Sequence, residues 1–582
     1  MLQTLLKEVR EYKRASLITP VFMILEVLME TLIPYLMASI IDNGVNARNL
    51  GHIYRVGGLM VVAAVIGLLA GMGGGRFGAK ASTGFAKNLR MAMFDHIQTF
   101  SFANIDHFST AGLVTRLTTD VTNLQNAYQM VLRMAMRAPA SMICALIMAF
   151  TINARLASIY LAAVAFLGIL LFFIIRHATR YFKMAFPKYD ELNASVQENV
   201  SAIRVVKAYV REEQETNKFR QASENIYNIF VRAERNVILN APLMQFTVYT
   251  CIILISWIGA KMIVSDTLTT GELMSLLAYC MNILMSLMML SMVFVMLSMS
   301  SASIERIGEV LKEESDLHSP EHPVTDVADG SISFRHVNFS YRKNSQEHVL
   351  RDINLDIRPG ETIGIIGGTG SAKTSLVNLI SRLYDVSDGE ILVGGVNVKN
   401  YDLEVLRSQV SVVLQNNVLF SGSIYDNLRW GNPDATDEEC QEVCRLACAD
   451  DFIRAFPDGY HTHIEQGGNN VSGGQKQRLC IARALLKKPK ILILDDSTSA
   501  VDTATDARIR QAFREDIPDT TKLIIAQRIS SVQDADRIIV MENGRIDGFG
   551  THEELLAAND IYREVYESQT GGSGDFDEKA GD

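Results

Sequence analysis

Six long apolar stretches occupy the first half of the 582-residue chain, and they limit its fold more than any other feature. A helix that crosses a bilayer needs about 20 mostly apolar residues, because its backbone polar groups must be satisfied within the segment. The third stretch is short and is expected to draw on Met130–Leu132, and only Ile152–Arg155 separates it from the fourth, which predicts a tight helical hairpin. The stretches lie near residues 16–41, 54–75, 137–152, 156–175, 237–261 and 273–298.

Lysine and arginine are concentrated in two of the connections, the one between the second and third stretches and the one between the fourth and fifth. Because cytosolic loops carry an excess of basic residues, both connections and both chain termini are predicted to be cytoplasmic. Both connections are too long for ordinary loops. We expect the helices to continue into the cytosol and to turn back through short cross-pieces, with Asn104–Gly112 and Ala208–Glu215 as candidates.

Two glutamates, Glu26 and Glu30, lie one helical turn apart within the first apolar stretch. A charge at the centre of a membrane costs about 2.5–3.5 kcal/mol on insertion scales, so each carboxylate must face a partner or water. One interpretation is a polar position in a substrate path, and the other is a buried hydrogen bond to a neighbouring helix. The sequence leaves both open.

The composition changes after Met299, from apolar helices to a polar, proline-containing segment and then an α/β pattern. With 48% hydrophobic and 21% charged residues, the chain is predicted to be an all-α membrane bundle of six helices that extend into the cytosol, fused to a cytosolic α/β domain. The net charge of −10 argues against a nucleic-acid partner. The predicted segments are an interfacial helix (1–14), a transmembrane domain (15–312), a linker (313–328), the α/β domain (329–570) and a disordered acidic tail (571–582).

The stretch from Gly367 to Ser375 is predicted to be a phosphate-binding P-loop, since it joins an apolar strand to a helix. Backbone N–H groups at such a turn converge on an anion, and the helix N-terminus adds the positive end of its dipole. Lys373 is expected to reach the β- and γ-phosphates and Thr374 to hold Mg²⁺. Ala372 stands where the pattern has glycine, at a cost of about 1–2 kcal/mol if that position needs a positive φ. This motif predicts that the cytosolic α/β domain, residues 329–570, is a P-loop ATPase and thus a nucleotide-binding domain. The predicted nucleotide-binding residues of the loop are Gly368, Thr369, Gly370, Ser371, Ala372, Lys373, Thr374 and Ser375.

Further motifs surround the P-loop in a fixed order along the chain. Tyr341, upstream, could stack on adenine, and Gln415 ends a second apolar strand. A buried strand ends in Asp495, as a Mg²⁺-bound acid requires. A second helix N-terminus with anion-binding character is formed by Val471, Ser472, Gly473, Gly474 and Gln475.

With these motifs the chain resembles an ABC transporter half of the exporter type, with six membrane helices and a C-terminal nucleotide-binding domain, over residues 1–570. The resemblance implies that ATP and Mg²⁺ bind between two such domains paired head to tail, each ATP lying between one P-loop and the other subunit's signature, here residues 471–475. It also implies that Tyr341 stacks on adenine, that Gln415 senses Mg²⁺ and γ-phosphate, that Asp495 holds Mg²⁺ and that Asp502 belongs to the dimer loop. The two cross-pieces resemble the helices that dock on the nucleotide-binding domains.

Three departures from the family pattern all fall on this chain's own P-loop site. Asp496 stands where the family has a glutamate as general base, and Gln527 stands where it has a histidine that touches γ-phosphate. Together with Ala372 they predict a slow or non-hydrolytic site, whereas the signature departs only at Val471. The chain therefore resembles the degenerate-site subunit of heterodimeric bacterial multidrug exporters, with a non-identical half-transporter as partner. An engineered catalytic variant of a homodimer fits three separate departures poorly.

The predicted function is ATP-driven export of hydrophobic, drug-like or lipid-like molecules from a cell membrane, with membrane lipid around the bundle. The alternatives are a peptide or lipid exporter half of the same architecture and an ATP-gated regulatory membrane protein that binds nucleotide without pumping. The sequence does not separate the substrates.

Overall fold

The six predicted spans are present as helices in a computed structural model that describes residues 2–342 and 347–570 of the chain. Within those residues, six helical segments are long and apolar enough to cross a membrane. They are Arg10–Val45, Leu50–Gln98, Thr110–Ile152, Ala154–Ile174, Asn240–Val264 and Thr270–Lys312. The predicted fold class is confirmed, and the predicted acidic tail at 571–582 lies outside the described residues.

The helices of the first half are longer than their apolar stretches, as the helical pattern of the connections predicts. With 49 residues, α3 is about 75 Å long, more than twice what a bilayer core needs. Short π-helical turns join α5, α6 and α7 into the continuous third span. The bounds are α1 Leu2–Lys7, α2 Lys13–Ile40, α3 Leu50–Gln98, α4 Phe102–Phe108, α5 Thr110–Thr115, α6 Val121–Met130, α7 Met136–Ile152, α8 Ala154–Ser201, α9 Ile203–Ala208, α10 Glu212–Val237, α11 Asn240–Val264 and α12 Thr270–Lys312.

The predicted hairpin between the third and fourth spans turns on a single residue, Asn153. Its backbone is extended, and its side-chain oxygen accepts hydrogen bonds from the N–H groups of Arg155 and Leu156. An asparagine in this position satisfies two of the N–H groups that a helix start leaves free. The hairpin is therefore closed by a helix cap.

Arg137 of α7 pairs with both glutamates of α2. Its guanidinium lies 2.9 Å from a carboxylate oxygen of Glu26 and 2.9 Å from one of Glu30. These contacts favour the second of the two interpretations, a polar link between neighbouring helices. One oxygen of Glu26, Oε2, is buried without a hydrogen-bond partner among the described residues.

The chain divides into two compact units, and the division does not follow the sequence order. The helical unit comprises the residues up to Thr99 and Phe108–Glu313, and the α/β unit comprises Phe100–His107 together with the chain from Glu314 onward. Most of α4, which overlaps the first predicted cross-piece, therefore belongs by its contacts to the α/β unit. The second short helix, α9, ends at Ala208, where the second cross-piece was expected to begin.

The α/β unit is built on a six-stranded sheet with the order β12-β11-β3-β10-β9-β6. Its central strands are parallel and almost continuously apolar, as expected for strands covered on both faces. A four-stranded antiparallel sheet, β2-β1-β4-β5, and the short pair β7-β8 complete the described strands. The strands are β1 Ile332–Phe339, β2 Leu350–Ile357, β3 Thr362–Gly367, β4 Asp388–Val393, β5 Val396–Asn397, β6 Val410–Val413, β7 Gly422–Ser423, β8 His463–Ile464, β9 Ile491–Asp495, β10 Thr521–Ile525, β11 Arg537–Glu542 and β12 Arg545–Gly550.

The helices of this unit pack on both faces of the larger sheet and form two apolar cores, one for each face. Their bounds are α13 Lys373–Ile380, α14 Leu403–Gln409, α15 Ile424–Leu428, α16 Asp437–Leu446, α17 Asp450–Arg454, α18 Gly473–Leu485, α19 Thr503–Asp516, α20 His552–Ala558 and α21 Asp560–Thr570.

Candidate nucleotide site

Four parallel, neighbouring strands end at one edge of the larger sheet, and a predicted site residue follows or ends each of them. The P-loop follows β3, Gln527 follows β10, Asp495 ends β9 and Gln415 follows β6. In open α/β sheets, ligands bind outside the carboxyl ends of the strands. The sheet order therefore gathers residues that are more than 150 positions apart in the sequence.

The backbone of the P-loop turns sharply just before α13. Gly370 has a φ of 83°, and Ala372, the N-cap residue of α13, lies in the left-handed region with φ 73° and ψ 25°. Ala372 therefore has the positive φ on which the predicted strain depends. A Cβ in the left-handed region costs about 1–2 kcal/mol relative to glycine, so the loop is held in shape against a local strain.

Lys373 extends across the loop that precedes it. Its Nζ donates hydrogen bonds to the carbonyl oxygens of Gly367 (2.7 Å) and Gly368 (2.9 Å) and reaches Ser371 Oγ at 3.4 Å. Burial lowers the pKa of the Lys373 ammonium, while Asp495 and Asp496 oppose that effect. The cation thus lies over a turn at a helix N-terminus, a type of position that suits the phosphates of a nucleotide.

Thr374 and Asp495 form the oxygen pair that a hard cation needs. Thr374 Oγ1 donates to Asp495 Oδ1 over 3.1 Å, and Asp495 is only 2% exposed. Burial raises the pKa of the Asp495 carboxyl, against the hydrogen bond from Thr374. Mg²⁺ bound by one or two protein oxygens together with nucleotide phosphates is the usual arrangement in such sites. Gln415 is exposed at the same edge, and no side-chain contact of the described residues joins it to this pair.

The two departing residues of the catalytic region bind each other. Gln527 Nε2 donates to Asp496 Oδ2 over 2.7 Å, which orients the short carboxylate toward the neighbouring loop. Asp496 itself has a φ of 49°, a conformation that is uncommon for a residue with a side chain. Both residues line a small cavity of about 140 Å³. The base position and the switch position therefore form one hydrogen-bonded unit.

A residue without any motif holds the switch segment from the C-terminal helix α21. Gln569 donates to the carbonyl oxygen of Gln527 over 2.9 Å and accepts from the N–H of Ile529 over 2.8 Å. Sequence reasoning missed Gln569, because nothing in its neighbourhood indicates that it pairs with backbone about 40 residues earlier.

The signature lies at the start of α18, a helix of 13 residues. Ser472 is its N-cap: its Oγ accepts from the N–H of Gln475, and Gln475 Oε1 accepts from the N–H of Ser472. Val471 packs against the apolar core below. None of the contacts among the described residues joins the signature to the P-loop.

The loop that contains Asp502 is tied to the signature helix by a second residue that sequence reasoning missed. Gln477, 7% exposed, accepts from the N–H of Ala500 at 3.0 Å and donates to Ser499 Oγ at 3.3 Å. Asp502 caps α19, and the hydrogen bond from the Thr505 N–H lowers the pKa of its carboxyl. The signature and this loop are held together as one surface of the unit.

Tyr341 lies against the P-loop helix, where an adenine-stacking residue would be expected. Its hydroxyl hydrogen-bonds with Ser375 at 2.8 Å, and its ring stands perpendicular to that of Tyr384, with 5.1 Å between centroids. Tyr384 in turn donates to Asp106 Oδ2 of α4 over 2.8 Å. With 47% of its surface exposed, Tyr341 keeps area for a base to stack on.

Comparisons with known proteins agree with this geometry. Residues 16–303 match the family model described as the ABC transporter transmembrane region, and residues 350–499 match the model described as ABC transporter. The chain is 35% identical to the ABC transporter ATP-binding protein YfiB of Bacillus subtilis over 573 residues, which is 98% of this chain and 99% of that protein. It is 33% identical to the fatty acid ABC transporter ATP-binding/permease protein of Mycobacterium tuberculosis over 477 residues, covering 82% of this chain and 75% of that protein.

A solved structure of a bacterial Atm1-family ABC exporter with ATP bound has the same fold. The TM-score is 0.81 and the sequences are 22% identical, with 96% of this chain and 99% of that chain covered. This likeness concerns the fold alone.

Proposed function

This chain belongs to the ABC transporters as a half-transporter of the exporter type, and from that premise we propose that it is the degenerate-site subunit of a heterodimer. As a member of the family it binds ATP with Mg²⁺ and couples ATP hydrolysis to transport across a membrane. The proposal adds three points: the partner is a different chain, this chain's own site hydrolyses ATP poorly, and its signature completes the partner's competent site.

The residues at the sheet edge fit ATP and Mg²⁺. In the proposed assignment the P-loop N–H groups and Lys373 hold the β- and γ-phosphates, and Thr374, Asp495 and Gln415 hold Mg²⁺. The metal would neutralise charge that develops on the phosphates during transfer to water. Tyr341 would stack on adenine, and Asp502 would face the partner subunit.

The hydrogen bond between Asp496 and Gln527 is the observation that carries the degenerate-site proposal. A general base must lie within hydrogen-bond reach of the attacking water. The Asp496 carboxylate is one methylene shorter than the family's glutamate, and one of its oxygens is already engaged by Gln527 at 2.7 Å. Gln527 can hydrogen-bond a phosphate, but it cannot supply the charge of an imidazolium. Both features oppose hydrolysis at this site.

The signature supports the second half of the proposal. Its serine and both glycines are present, and Ser472 caps an α18 that is long enough to present an anion-binding N-terminus. A chain with a weakened P-loop site and a regular signature is what one half of an asymmetric pair requires. Domain limits of 15–312 and 329–570, with both termini in the cytoplasm, go with this assignment.

The proposed substrates are hydrophobic molecules of a drug-like or lipid-like kind. One relative is named as a fatty acid ABC transporter, which supports a lipid-like cargo in this proposal.

Steady-state ATPase assays test the proposal. The purified chain alone should turn over ATP about 10²-fold or more slowly than its complex with the partner, because a misplaced base forfeits a factor of about 10²–10⁴. The natural candidate for the partner is a half-transporter encoded in the adjacent reading frame. Robust hydrolysis by the homodimer would contradict the proposal, and a complex that hydrolyses ATP without moving substrate into vesicles would favour the ATP-gated regulator instead.

A further inference from the structure

A cavity of about 390 Å³ lies within the helical unit, between α8 and α12. Its wall is almost entirely apolar, and it is as large as a small-ligand pocket. The side chains that decide its chemistry are Phe172 and Arg176 of α8 and Leu290, Ser291 and Phe294 of α12.

One charged group, Arg176, lies at the end of this apolar wall. It lies on α8, and Gly168 of the cavity wall lies eight positions earlier on the same helix, or about 12 Å along it. None of the ion pairs between described residues includes Arg176. The cavity therefore has an apolar length and one cationic end without a protein counter-ion in the described part of the chain.

A second polar group faces the same space. Ser291 is 5% exposed, and its Oγ accepts from Asn240 Nδ2 of α11 at 3.5 Å. Within the described residues its hydroxyl hydrogen has no acceptor, and Asn240 Oδ1 is buried without a partner. Buried polar groups in an apolar wall normally have partners, so a ligand group in the cavity that accepts from Ser291 would complete an unfinished hydrogen-bond set.

Gly168 lines the cavity on the α8 side. A Cβ built at this position meets no atom within 4 Å. The first atom of a larger side chain therefore displaces nothing, which makes Gly168 the position of choice for adding a side chain at the cavity wall.

We propose that this cavity binds a single-chain lipid with an anionic headgroup. The chain lies along the apolar wall, and the headgroup pairs with Arg176 and accepts from Ser291. This assignment rests on the proposed export function, since it names the class of substrate. A guanidinium next to a low-dielectric wall is well suited to a carboxylate or phosphate, because it can bind two oxygens at once.

Equilibrium binding of radiolabelled hexadecanoate to the full chain, purified in neutral lipid nanodiscs without nucleotide, tests the assignment. Arg176→Gln should raise the Kd about tenfold, the size of one charge-assisted interaction, and Arg176→Lys should raise it less. Gly168→Leu should raise it by at least about tenfold, because the added side chain fills the cavity. Hexadecanol, which has the same chain without the charge, should compete weakly.

Two variants serve as matched controls. Arg180→Gln removes the same charge one helical turn further along α8, and Gly58→Leu adds the same side chain at another open glycine, on α3. Both should leave the Kd within about twofold of the unchanged chain, a small effect on this scale. The same measurement with a lysophosphatidate distinguishes the two possible headgroups. Tighter binding than that of hexadecanoate would identify a phosphate headgroup, and weaker binding would identify a carboxylate.

Equal binding of hexadecanol and hexadecanoate, or equal losses in Arg176→Gln and Arg180→Gln, would overturn the assignment. The measurement uses neither ATP nor a partner, so its failure is separable from failure of the proposed function. Binding that behaves as expected in a complex that shows no ATP-driven transport leaves the site standing and removes the function. If the complex transports other substrates but hexadecanoate does not bind this cavity, the proposed function stands and the proposed site is removed.

Discussion

At the scale of single residues, two positions of the site differ from the family pattern by one carbon group: a methyl is added at Ala372 and a methylene is missing at Asp496. Ala372 keeps the left-handed turn of the P-loop with a Cβ where glycine would carry no strain. Asp496 is one methylene short of the family's base, and Gln527 holds it at 2.7 Å. In the proposed assignment these substitutions leave the phosphate-binding groups in position and weaken the hydrolytic step, so nucleotide binding and hydrolysis are expected to separate at this site.

Repair of the base position alone should not restore hydrolysis. We expect Asp496→Glu to stay slow and Asp496→Glu with Gln527→His to be faster, because catalytic groups that act as a unit are strongly non-additive. The measurement is steady-state ATPase activity of a complex in which the partner's own P-loop site has been silenced. Full activity from Asp496→Glu alone would show that the missing methylene was the only defect.

At the scale of elements, the switch segment after β10 is held by a helix that lies far from it in the sequence. Gln569 of α21 bonds the backbone on both sides of the turn, at Gln527 and at Ile529. Since the same turn carries the Gln527 side chain to Asp496, α21 acts as a support for the switch position. Gln569 is thus a positioning residue of the site.

Gln569→Ala should loosen the switch segment without unfolding the domain. Losing two hydrogen bonds to backbone, each worth about 1 kcal/mol, should speed amide exchange at residues 526–531 by about 30-fold, since about 1.4 kcal/mol corresponds to a factor of ten. Hydrogen exchange followed by mass spectrometry measures this directly. Gln511→Ala is the matched control, because the Gln511 side chain, among the described residues, bonds only Glu515 of its own helix α19. Similar exchange in both variants would remove the positioning role.

At the scale of the whole molecule, the contacts assign each part of the chain to one of two units. Most of α4 joins the α/β unit although the membrane helices flank it in sequence. Within that unit Asp106 of α4, Tyr384 and Tyr341 form a continuous series of contacts that ends at Ser375 of the P-loop helix. Tyr341, the proposed adenine-stacking residue, is therefore linked to α4 through Tyr384.

The proposed weak P-loop site and intact signature together predict which of two variants of the heterodimer loses more ATPase activity. Ser472→Ala should abolish most turnover, because it removes a γ-phosphate contact from the partner's working site. Lys373→Ala should weaken nucleotide binding at this chain's site and leave more residual hydrolysis. Steady-state ATPase assays on the heterodimer compare the two.

A second helix cap, Ser423 of α15, gives a control that distinguishes an effect on catalysis from an effect on stability. Ser423 caps α15 in the same way that Ser472 caps α18, and either loss should cost about 1 kcal/mol. Ser423→Ala should therefore leave turnover nearly unchanged. The reverse ranking of Ser472→Ala and Lys373→Ala would mean that the competent site belongs to this chain.

The sequence by itself determined the features that are local along the chain. Six apolar stretches predict six spans, because a bilayer requires that length of apolar helix, and the P-loop predicts a strand, a tight turn and a helix. The departures at Asp496 and Gln527 could be read as substitutions in a known pattern. The exact helix bounds could not be predicted from the sequence, since α3 and α8 run far beyond the apolar residues that indicate them.

Only the tertiary structure decided which distant groups meet. The parallel order of β3, β10, β9 and β6 brings Lys373, Gln527, Asp495 and Gln415 to one edge, and no local pattern encodes that order. The pairing of Asp496 with Gln527, the hold of Gln569 on the switch, the Arg137 pairs and the cavity beside Arg176 all join different elements. Such contacts depend on the packing of several elements at once, whereas periodicity and motifs report only the backbone of each.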